Sequence, residues 1–264
     1  MRIKCQIYEL PSFRITELDN LVLEADILFY GEVHRVQWII ELATEIISMR
    51  YESGLVKFVG LEYFNYRMED LVNNWLEDRI SWEEFLYEYR MGPEGFPLDV
   101  YRPILDKIKM LGVKIVGVMP PRDEVRNISR DGLEGIKLIS DSPISPGEVR
   151  LDYTGYRERL LSMIPSSGPM AKLDPEKIVM AQAYKDEVIA YKVAEAYRRF
   201  GPGLVITGYA HSEINGSAST RLRDRGIDSY TVVTTRDEIY SGDLVSEFKR
   251  YMGLEARYLA LKRG

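Results

Sequence analysis

Short apolar runs alternate with longer amphipathic stretches along most of this 264-residue chain. The apolar runs lie at 27–30, 56–62, 114–119, 204–207 and 229–234, with a further candidate at 256–262. The amphipathic stretches predict helices near 35–51, 66–78, 81–90, 99–111, 122–130, 174–200 and 243–252. Strands joined by crossover helices form parallel sheets. The pattern therefore predicts an α/β fold, with a mostly parallel central sheet of about five or six strands flanked by helices.

One segment departs from the alternation. Residues 140–170 are rich in proline, serine and glycine, and they form a long excursion between two helical stretches. Long irregular connections are often functional, so this segment is predicted to be either a lid over a site or a surface insertion without a role.

The composition of the whole chain bears on the number of domains. Because 45% of the 264 residues are hydrophobic, the chain can bury one large core, and residues 1–264 are predicted to form a single domain.

Composition and charge exclude several classes of partner. The net charge is −6, and basic and acidic residues are intermixed without a basic block, so we expect no nucleic acid partner. The N-terminus, MRIKCQIYEL, lacks the apolar core of a secretory signal, and no apolar run approaches the roughly 20 residues that span a bilayer. A cytoplasmic protein with no membrane partner is expected. The scarcity of glutamine, together with 29% charged residues, is typical of a heat-adapted protein.

Three of the predicted strands end in related motifs, YGEVH, VGLEYF and ITGYAH. The only two histidines of the chain each close a G-x-x-H pattern, at 31–34 and 208–211. Because the carboxyl ends of parallel strands lie on one edge of the sheet, His34, Glu62 and His211 are predicted to converge there. Side chains alternate along a strand, so Glu32 is expected to project to the same side as His34.

The residue types at this edge allow three chemistries. Imidazoles and carboxylates are ligands of Zn, Mn, Co or Fe, so His34, Glu62 and His211 are predicted metal ligands that would activate a bound water. Without a metal, one histidine could be the general base while Glu62 orients the ring or shares the proton transfers. Haem is the third alternative, because histidine and tyrosine are both haem ligands. The tyrosines expected near this edge are Tyr30, Tyr63, Tyr66, Tyr184 and Tyr209.

Two further patterns concern ligand contacts. Arg122, Arg126 and Arg130 recur every four residues on one helical face, where Arg122 lies nearest the strand end and could hold a carboxylate, phosphate or propionate. Exposed ion pairs with the neighbouring acidic residues are the alternative. Gln182 and Asp186 form an i, i+4 polar pair on the predicted helix. They could hydrogen-bond to each other, hydrogen-bond to a residue that binds the ligand, or lie on the surface.

The order of these pieces resembles the ChaN-like haem-binding uptake family, within the superfamily that includes Tiki and TraB proteins and the erythromycin esterases. The similar pieces are GEVH, VGLEYF, YRPIL, KIVGVMPPR, AQAYKDEVIAYKVAE and ITGYAH, and they extend over residues 25–235. The resemblance implies an α/β fold in which His34, Glu62 and His211 line one pocket. It implies haem binding as in ChaN, metal-dependent peptidase activity as in Tiki, or hydrolysis by histidine and glutamate as in the esterases.

The sequence predicts a metal-assisted hydrolase of peptide, amide or ester bonds, with His34, Glu62 and His211 as its catalytic residues. The predicted cofactor-binding residues are Glu32, Arg122, Gln182, Asp186 and Tyr209. A haem or metalloporphyrin carrier is the alternative, and an inactive structural or interaction protein is the second one. The expected partner is a small-molecule or peptide substrate, or haem. A homo-oligomer is compatible with the sequence, because an apolar helix face can pack either in the core or in a dimer interface.

Overall fold

The computed structural model describes residues 5–92, 94–164, 167, 173–239 and 255–263, and they contain one eight-stranded sheet. Its strands are β1 (Cys5–Glu9), β2 (Arg14–Thr16), β3 (Ile27–Glu32), β4 (Phe58–Asn65), β5 (Lys114–Met119), β6 (Gly203–Gly208), β7 (Ser229–Ile239) and β8 (Tyr258–Arg263). Their order across the sheet is β2-β1-β8-β7-β3-β6-β4-β5.

Nine α-helices and four short 3-10 turns connect the described strands. The helices are α1 (Leu18–Leu23), α2 (Gln37–Glu52), α3 (Glu69–Leu76), α4 (Trp82–Met91), α5 (Leu98–Met110), α6 (Arg122–Asp131), α7 (Tyr156–Met163), α8 (Pro175–Phe200) and α9 (Ala218–Asp224). The 3-10 turns are Tyr66–Met68, Gly132–Leu138, Pro146–Glu148 and Tyr209–His211.

The predicted α/β fold with a mostly parallel sheet is confirmed. The strands from β3 to β8 all run parallel, and each coincides with a predicted strand. The prediction of about five or six strands was too low, because β1 and β2 add an antiparallel pair next to β8. Both are short and only partly buried, so they lack the continuous apolar runs that mark the central strands.

Most predicted helices start and end within a few residues of the observed ones. Asp174 caps α8 as expected, since its side chain accepts a hydrogen bond from the backbone of Glu176 and Pro175 occupies the first helical position. The short helices α1, α7 and α9 were not predicted. The predicted helix at 243–252 lies outside the described residues.

The sheet is covered by helices on both faces. Alternate residues of β3 point in opposite directions: Leu28 and Tyr30 pack with α2, α4 and α5, whereas Ile27 and Phe29 pack with α8 and α9. All four side chains are fully buried, as expected for a central parallel strand. With both faces covered, the carboxyl-terminal edge of the parallel strands is where a site can open.

The excursion at 140–170 packs against α8 where it is described. Tyr156 and Leu160 of α7 are buried in a cluster with Val179 and Tyr184 of α8. Residues 165, 166 and 168–170 lie outside the described residues, so the predicted lid or insertion stays a prediction. No helix in the described ranges is both long enough and apolar enough to cross a membrane.

Candidate active site

The segments that follow β3 and β6 and the second half of β4 bring His34, His211 and Glu62 together, because these three strands are adjacent in the sheet. Oε1 of Glu62 lies 4.0 Å from Nε2 of His34 and also 4.0 Å from Nε2 of His211. Glu62 and His211 are buried, whereas the His34 side chain is 39% exposed. The convergence expected from the three strand ends is therefore present, with the carboxylate between the two rings.

The far side of the His34 ring faces a carboxylate. Nδ1 of His34 lies 2.9 Å from Oε1 of Glu32, and the same oxygen accepts a hydrogen bond of 2.9 Å from the Tyr63 hydroxyl. The Tyr101 hydroxyl lies 3.4 Å from Nδ1 of His34, and its ring stacks on Tyr63. Glu32 is fully buried, and its Oε2 makes no hydrogen bond within the part of the chain described. Because a carboxylate can only accept, Nδ1 carries the proton.

The His211 ring is held in a similar way by α8. Nδ1 of His211 lies 2.6 Å from Oδ1 of Asp186, and Oδ2 of Asp186 accepts a hydrogen bond of 2.6 Å from the Tyr156 hydroxyl. The side-chain amide of Gln182 lies against the same ring, with Nε2 at 2.9 Å from Nδ1. The two residues predicted as a polar pair on α8 thus both contact the histidine, and Asp186 is fully buried while Gln182 is half-buried.

The local backbone presents these groups to one another. The backbone N–H of Gly208 donates a hydrogen bond to Oε2 of Glu62. A Cβ at position 208 would lie 3.0 Å from Nε2 of His34 and 3.3 Å from Oε2 of Glu62, so only glycine leaves both undisturbed. Directly after His34, Arg35 adopts a left-handed conformation with φ of 64°, and its N–H donates to the Tyr101 hydroxyl. A positive φ is unusual for such a residue, and here it turns the chain from β3 towards α2.

With each Nδ1–H directed at a carboxylate, the Nε2 atom of each neutral ring is an acceptor and faces Oε1 of Glu62. The side-chain amide of Gln182 can donate to this atom of His211, because its Nε2 lies 3.3 Å from Nε2 of the ring. Burial lowers the pKa of His34, but the hydrogen bond to Glu32 and the charges of Glu62 and Glu32 outweigh it, so the pKa is raised above 6.5. The protonated form of His34 can donate its Nε2–H towards Glu62.

A cavity of about 630 Å³ opens beside Glu62. One wall is apolar, and the other carries the basic face of α6. The lining residues are Glu62, Glu94, Phe96, Met119, Pro120, Arg122, Val125, Arg126, Ser129, Arg130, Leu173 and Lys185. Phe96 also packs edge-on against His34, with ring centroids 5.4 Å apart. The cavity has the volume of an ordinary small-molecule site, and Glu62 is the group that joins it to the histidines.

The arrangement does not provide a ready metal site. Zinc binds histidine nitrogen at about 2.0–2.1 Å and carboxylate oxygen at about 2.0–2.2 Å. Within the described ranges, no group of three or more histidine, cysteine, aspartate or glutamate side chains is placed to hold a metal ion. The predicted ligands His34, Glu62 and His211 do lie together, but the structure lends no support to a divalent metal.

A model of the haem-binding uptake family of the Tiki superfamily, ChaN, matches residues 20–222. The chain belongs to this family. Its membership confirms the resemblance inferred from the ordered motifs. No curated protein matches the chain in sequence.

Solved structures show that the fold is shared with ChaN. The structure titled for cofacial haem binding to ChaN of Campylobacter jejuni has a TM-score of 0.70 and 16% identity, covering 98% of this chain and 97% of that one. A Bacillus cereus protein has a TM-score of 0.54 and 11% identity, with 93% and 90% covered. An erythromycin esterase mutant in its open conformation has a TM-score of 0.47 and 15% identity, with 85% and 72% covered.

In this ChaN family member, the other residues predicted to contact a ligand do not all lie at the cavity. Arg122 lines the cavity, with its Nε 3.6 Å from Glu94, and Arg126 and Arg130 share the same wall. Tyr209 follows β6 with a side chain that is 36% exposed, and it is not among the cavity-lining residues. The structure thus joins Arg122 to the site through the cavity, whereas Tyr209 lies outside the described lining of that cavity.

Sequence reasoning missed several residues of the site. Tyr101 had a signal, since it lies in the YRPIL motif. Lys185 directly precedes Asp186 but was not singled out. Tyr156 had no signal, because it comes from the excursion at 140–170, where no periodic pattern indicates which side chains turn inwards.

Proposed function

We propose that this ChaN family protein hydrolyses an ester or amide bond by acid–base catalysis without a metal. The observation that supports the proposal is the position of Glu62 between two imidazoles, each of which is oriented by its own carboxylate. Carboxylates at Nδ1 fix the tautomer and leave Nε2 available for proton transfer. Since catalytic contacts often tighten only when substrate binds, separations of 4.0 Å suit a site without a substrate.

The three groups divide the reaction between them. Glu62 accepts a proton from a water molecule, and the hydroxide attacks the carbonyl carbon of the substrate. His34, whose pKa is raised by its neighbouring carboxylates, acts in its protonated form. It donates the Nε2 proton to the leaving-group oxygen or nitrogen as the C–O or C–N bond of the tetrahedral intermediate breaks. Proton exchange between Glu62 and His34 restores the starting state, and one water is consumed for each bond cleaved. His211, held by Asp186, keeps the carboxylate in position and is available to share its proton.

The experiment is a hydrolysis assay with p-nitrophenyl acetate and butyrate, and with the matching anilides. Glu62→Gln and His34→Gln should each lower kcat/KM by at least a hundredfold, within the range expected for loss of a general acid or base. Glu195→Gln, which changes an exposed glutamate of α8, is the matched control and should leave the rate unchanged. Equal rates in Glu62→Gln and the wild-type protein would contradict the assignment.

The same assay distinguishes the metal-assisted version of the reaction. Because the proposed reaction needs no metal, activity should be complete after dialysis against EDTA. Elemental analysis should show less than stoichiometric Zn, Mn or Co. Loss of activity in EDTA and its recovery on adding one of these ions would contradict the metal-free mechanism. That result would support His34, Glu62 and His211 as metal ligands. The three side chains would then have to move closer together when the metal binds.

Haem binding is a second candidate function, favoured by the family and by the cavity. Phe96, Met119 and Val125 offer an apolar wall, and Arg122 and Arg126 would hold the propionates of a porphyrin. His34, whose side chain is 39% exposed and packs against the cavity-lining Phe96, is the residue that would ligate the iron. When bound, the haem would supply iron for ligand binding or redox chemistry.

Titration with hemin tests this candidate. A stoichiometric shift of the Soret band is expected, weakened in Arg122→Gln and altered in wavelength in His34→Gln. The control is Arg14→Gln, which changes an exposed arginine of β2. A titration that shows only non-saturating binding, equal in all variants, would contradict the haem-binding function.

A further inference from the structure

The cavity beside Glu62 is more basic than the rest of the protein. Its lining includes four cationic side chains and two carboxylates, whereas the whole chain has a net charge of −6. Two of the cations have partners, since Arg122 lies 3.6 Å from Glu94 and Arg130 lies 2.7 Å from Asp131. The other two, Arg126 and Lys185, form no ion pair or hydrogen bond within the described ranges. The cavity thus contains cationic charge that the described part of the chain does not pair.

Lys185 is the inner of these two cations. It lies on α8 between Tyr184 and Asp186, which are both fully buried, and it is itself partly buried. Burial and the charge of Arg122 lower its pKa, whereas Glu62 and Asp186 raise it, and the net shift is downwards. Removing a charged ammonium from water without a partner is costly. A negatively charged ligand would offset that cost.

Arg126 is the outer cation. It lies on the same face of α6 as Arg122 and Arg130, and its side chain is exposed. An arginine presents a planar fork of donors that matches a carboxylate or a phosphate, while a lysine supplies a compact point charge. The two side chains therefore offer complementary contacts to one anionic group.

We propose that Lys185 and Arg126 form a binding site for a carboxylate or phosphate group of the ligand, in the cavity next to Glu62. This inference rests on the proposed function in one respect: the anionic group would hold the substrate so that its scissile carbonyl lies at Glu62. The preferred substrates are then esters or amides that carry a carboxylate or a phosphate. The cavity of about 630 Å³ leaves room for such a molecule beyond its charged group.

Calorimetric titration with inorganic phosphate and with succinate, at constant ionic strength, tests the site without any hydrolysis. Lys185→Met and Arg126→Gln are each expected to raise the Kd of the preferred anion at least tenfold, equivalent to about 1.4 kcal/mol. Lys185→Arg should keep Kd within a few-fold because it retains the positive charge. Lys137→Met, which changes an exposed lysine, is the matched control. An unchanged Kd in Lys185→Met, with thermal unfolding like that of the wild-type protein, would overturn the proposal.

Acetylation of lysines by limiting acetic anhydride, followed by peptide mass spectrometry, gives an independent readout. Lys185 should be protected at least fivefold by the bound anion, while Lys137 should react at the same rate with and without it. Equal labelling of Lys185 in both samples would count against the site.

Glu62→Gln separates failure of this proposal from failure of the hydrolase. It removes a negative charge beside Lys185, so phosphate or succinate should bind at least as tightly as to the wild-type protein. If Lys185-dependent binding is found but no ester or amide is hydrolysed, the anion site stands and the hydrolase fails. If hydrolysis depends on Glu62 but neither anion binds, the anion site fails alone.

Discussion

Oδ1 of Asp186 lies 2.6 Å from Nδ1 of His211, and the other oxygen of the same carboxylate accepts the Tyr156 hydroxyl at 2.6 Å. On the opposite side of Glu62, Glu32 bridges His34 and Tyr63. Each imidazole is therefore oriented by a carboxylate that a tyrosine hydroxyl holds in turn. Hydrogen bonds of this kind fix the tautomer and the ring plane, so the Nε2 atoms of both rings face Glu62.

Tyr156→Phe tests whether the tyrosine holds Asp186. The change removes a hydroxyl that is fully buried against a fully buried carboxylate, so Asp186 keeps an unsatisfied oxygen. We expect the free energy of unfolding to fall by about 1–3 kcal/mol, measured by urea denaturation. Tyr153→Phe is the matched control, because that hydroxyl contacts the exposed side chain of Asp224 and its loss should change stability by about 0.5 kcal/mol or less. Equal effects of the two changes would contradict a special role for Tyr156.

The strand ends made the centre of this site predictable. His34, Glu62 and His211 each follow a long apolar run, and in a parallel sheet such positions meet on one edge. The surrounding contacts were not predictable in the same way. The spacing of Gln182 and Asp186 is also typical of surface residues. Periodicity shows which side of a helix is apolar, but it does not show which polar side chain contacts a histidine. Tyr156 reaches Asp186 only through the packing of the excursion on α8.

Prediction of the fold from the sequence was limited in the same way. Strands β3, β4 and β6 are buried on both faces and therefore have mostly apolar sequences. β1 and β2 are held by pairing with β8 and with each other, and β2 spans only Arg14–Thr16. Three residues cannot show an alternation, so their place in the sheet depends on contacts distant in sequence.

A titration of the two imidazoles by NMR tests the raised pKa of His34. Because the chain has only two histidines, a long-range ¹H–¹⁵N spectrum resolves both rings. The pKa of His34 should exceed 6.5, since the hydrogen bond to Glu32 and the charge of Glu62 outweigh the effect of burial. In Glu32→Gln the pKa should fall, and Glu41→Gln, a change on the exposed side of α2, should leave it unchanged. A pKa at or below 6.5 in the wild-type protein would contradict the assignment of His34 as the acid.

The same shift links stability to pH. Because the pKa of His34 is higher in the folded protein than in the unfolded chain, at about 6.5, protonation of His34 favours the folded state. This stabilisation is fully present below the unfolded pKa and is lost as the pH rises through the folded pKa. The side chain is 39% exposed, so solvent screening keeps the contribution small. His34→Gln should reduce the decrease in urea midpoint between pH 5.5 and 8.5, and an unchanged pH profile would contradict the linkage.

Gly208→Ala tests the close approach of the backbone to the site. Its φ of −55° is accessible to alanine, so the backbone can keep its conformation. The added methyl group would lie 3.0 Å from Nε2 of His34 and 3.3 Å from Oε2 of Glu62, so these groups must shift by a few tenths of an ångström. Hydrolysis should fall at least tenfold while the free energy of unfolding changes by less than about 1 kcal/mol. Gly147→Ala, where a Cβ meets no atom within 4 Å, is the control that should leave activity intact.

The ion pair between Glu187 and Arg221 lies behind the site and predicts a large loss of stability. The Arg221 side chain is fully buried, and its guanidinium also donates to the carbonyl groups of Gly216 and Arg150. It lies over the Tyr156 ring, at 5.2 Å from the centroid. Glu187→Ala would leave this charge buried without its carboxylate, so we expect a loss of about 3–5 kcal/mol in urea denaturation.

The double change Glu187→Leu with Arg221→Met distinguishes a buried charge from simple loss of packing. Replacing both members of a buried pair by apolar side chains is often neutral or stabilising, because no charge then has to be removed from water. The double variant should therefore be more stable than Glu187→Ala by at least about 2 kcal/mol. Should both variants lose the same stability, the cost would come from packing around Tyr156. The ion pair would then not be what keeps α8 and α9 together behind His211.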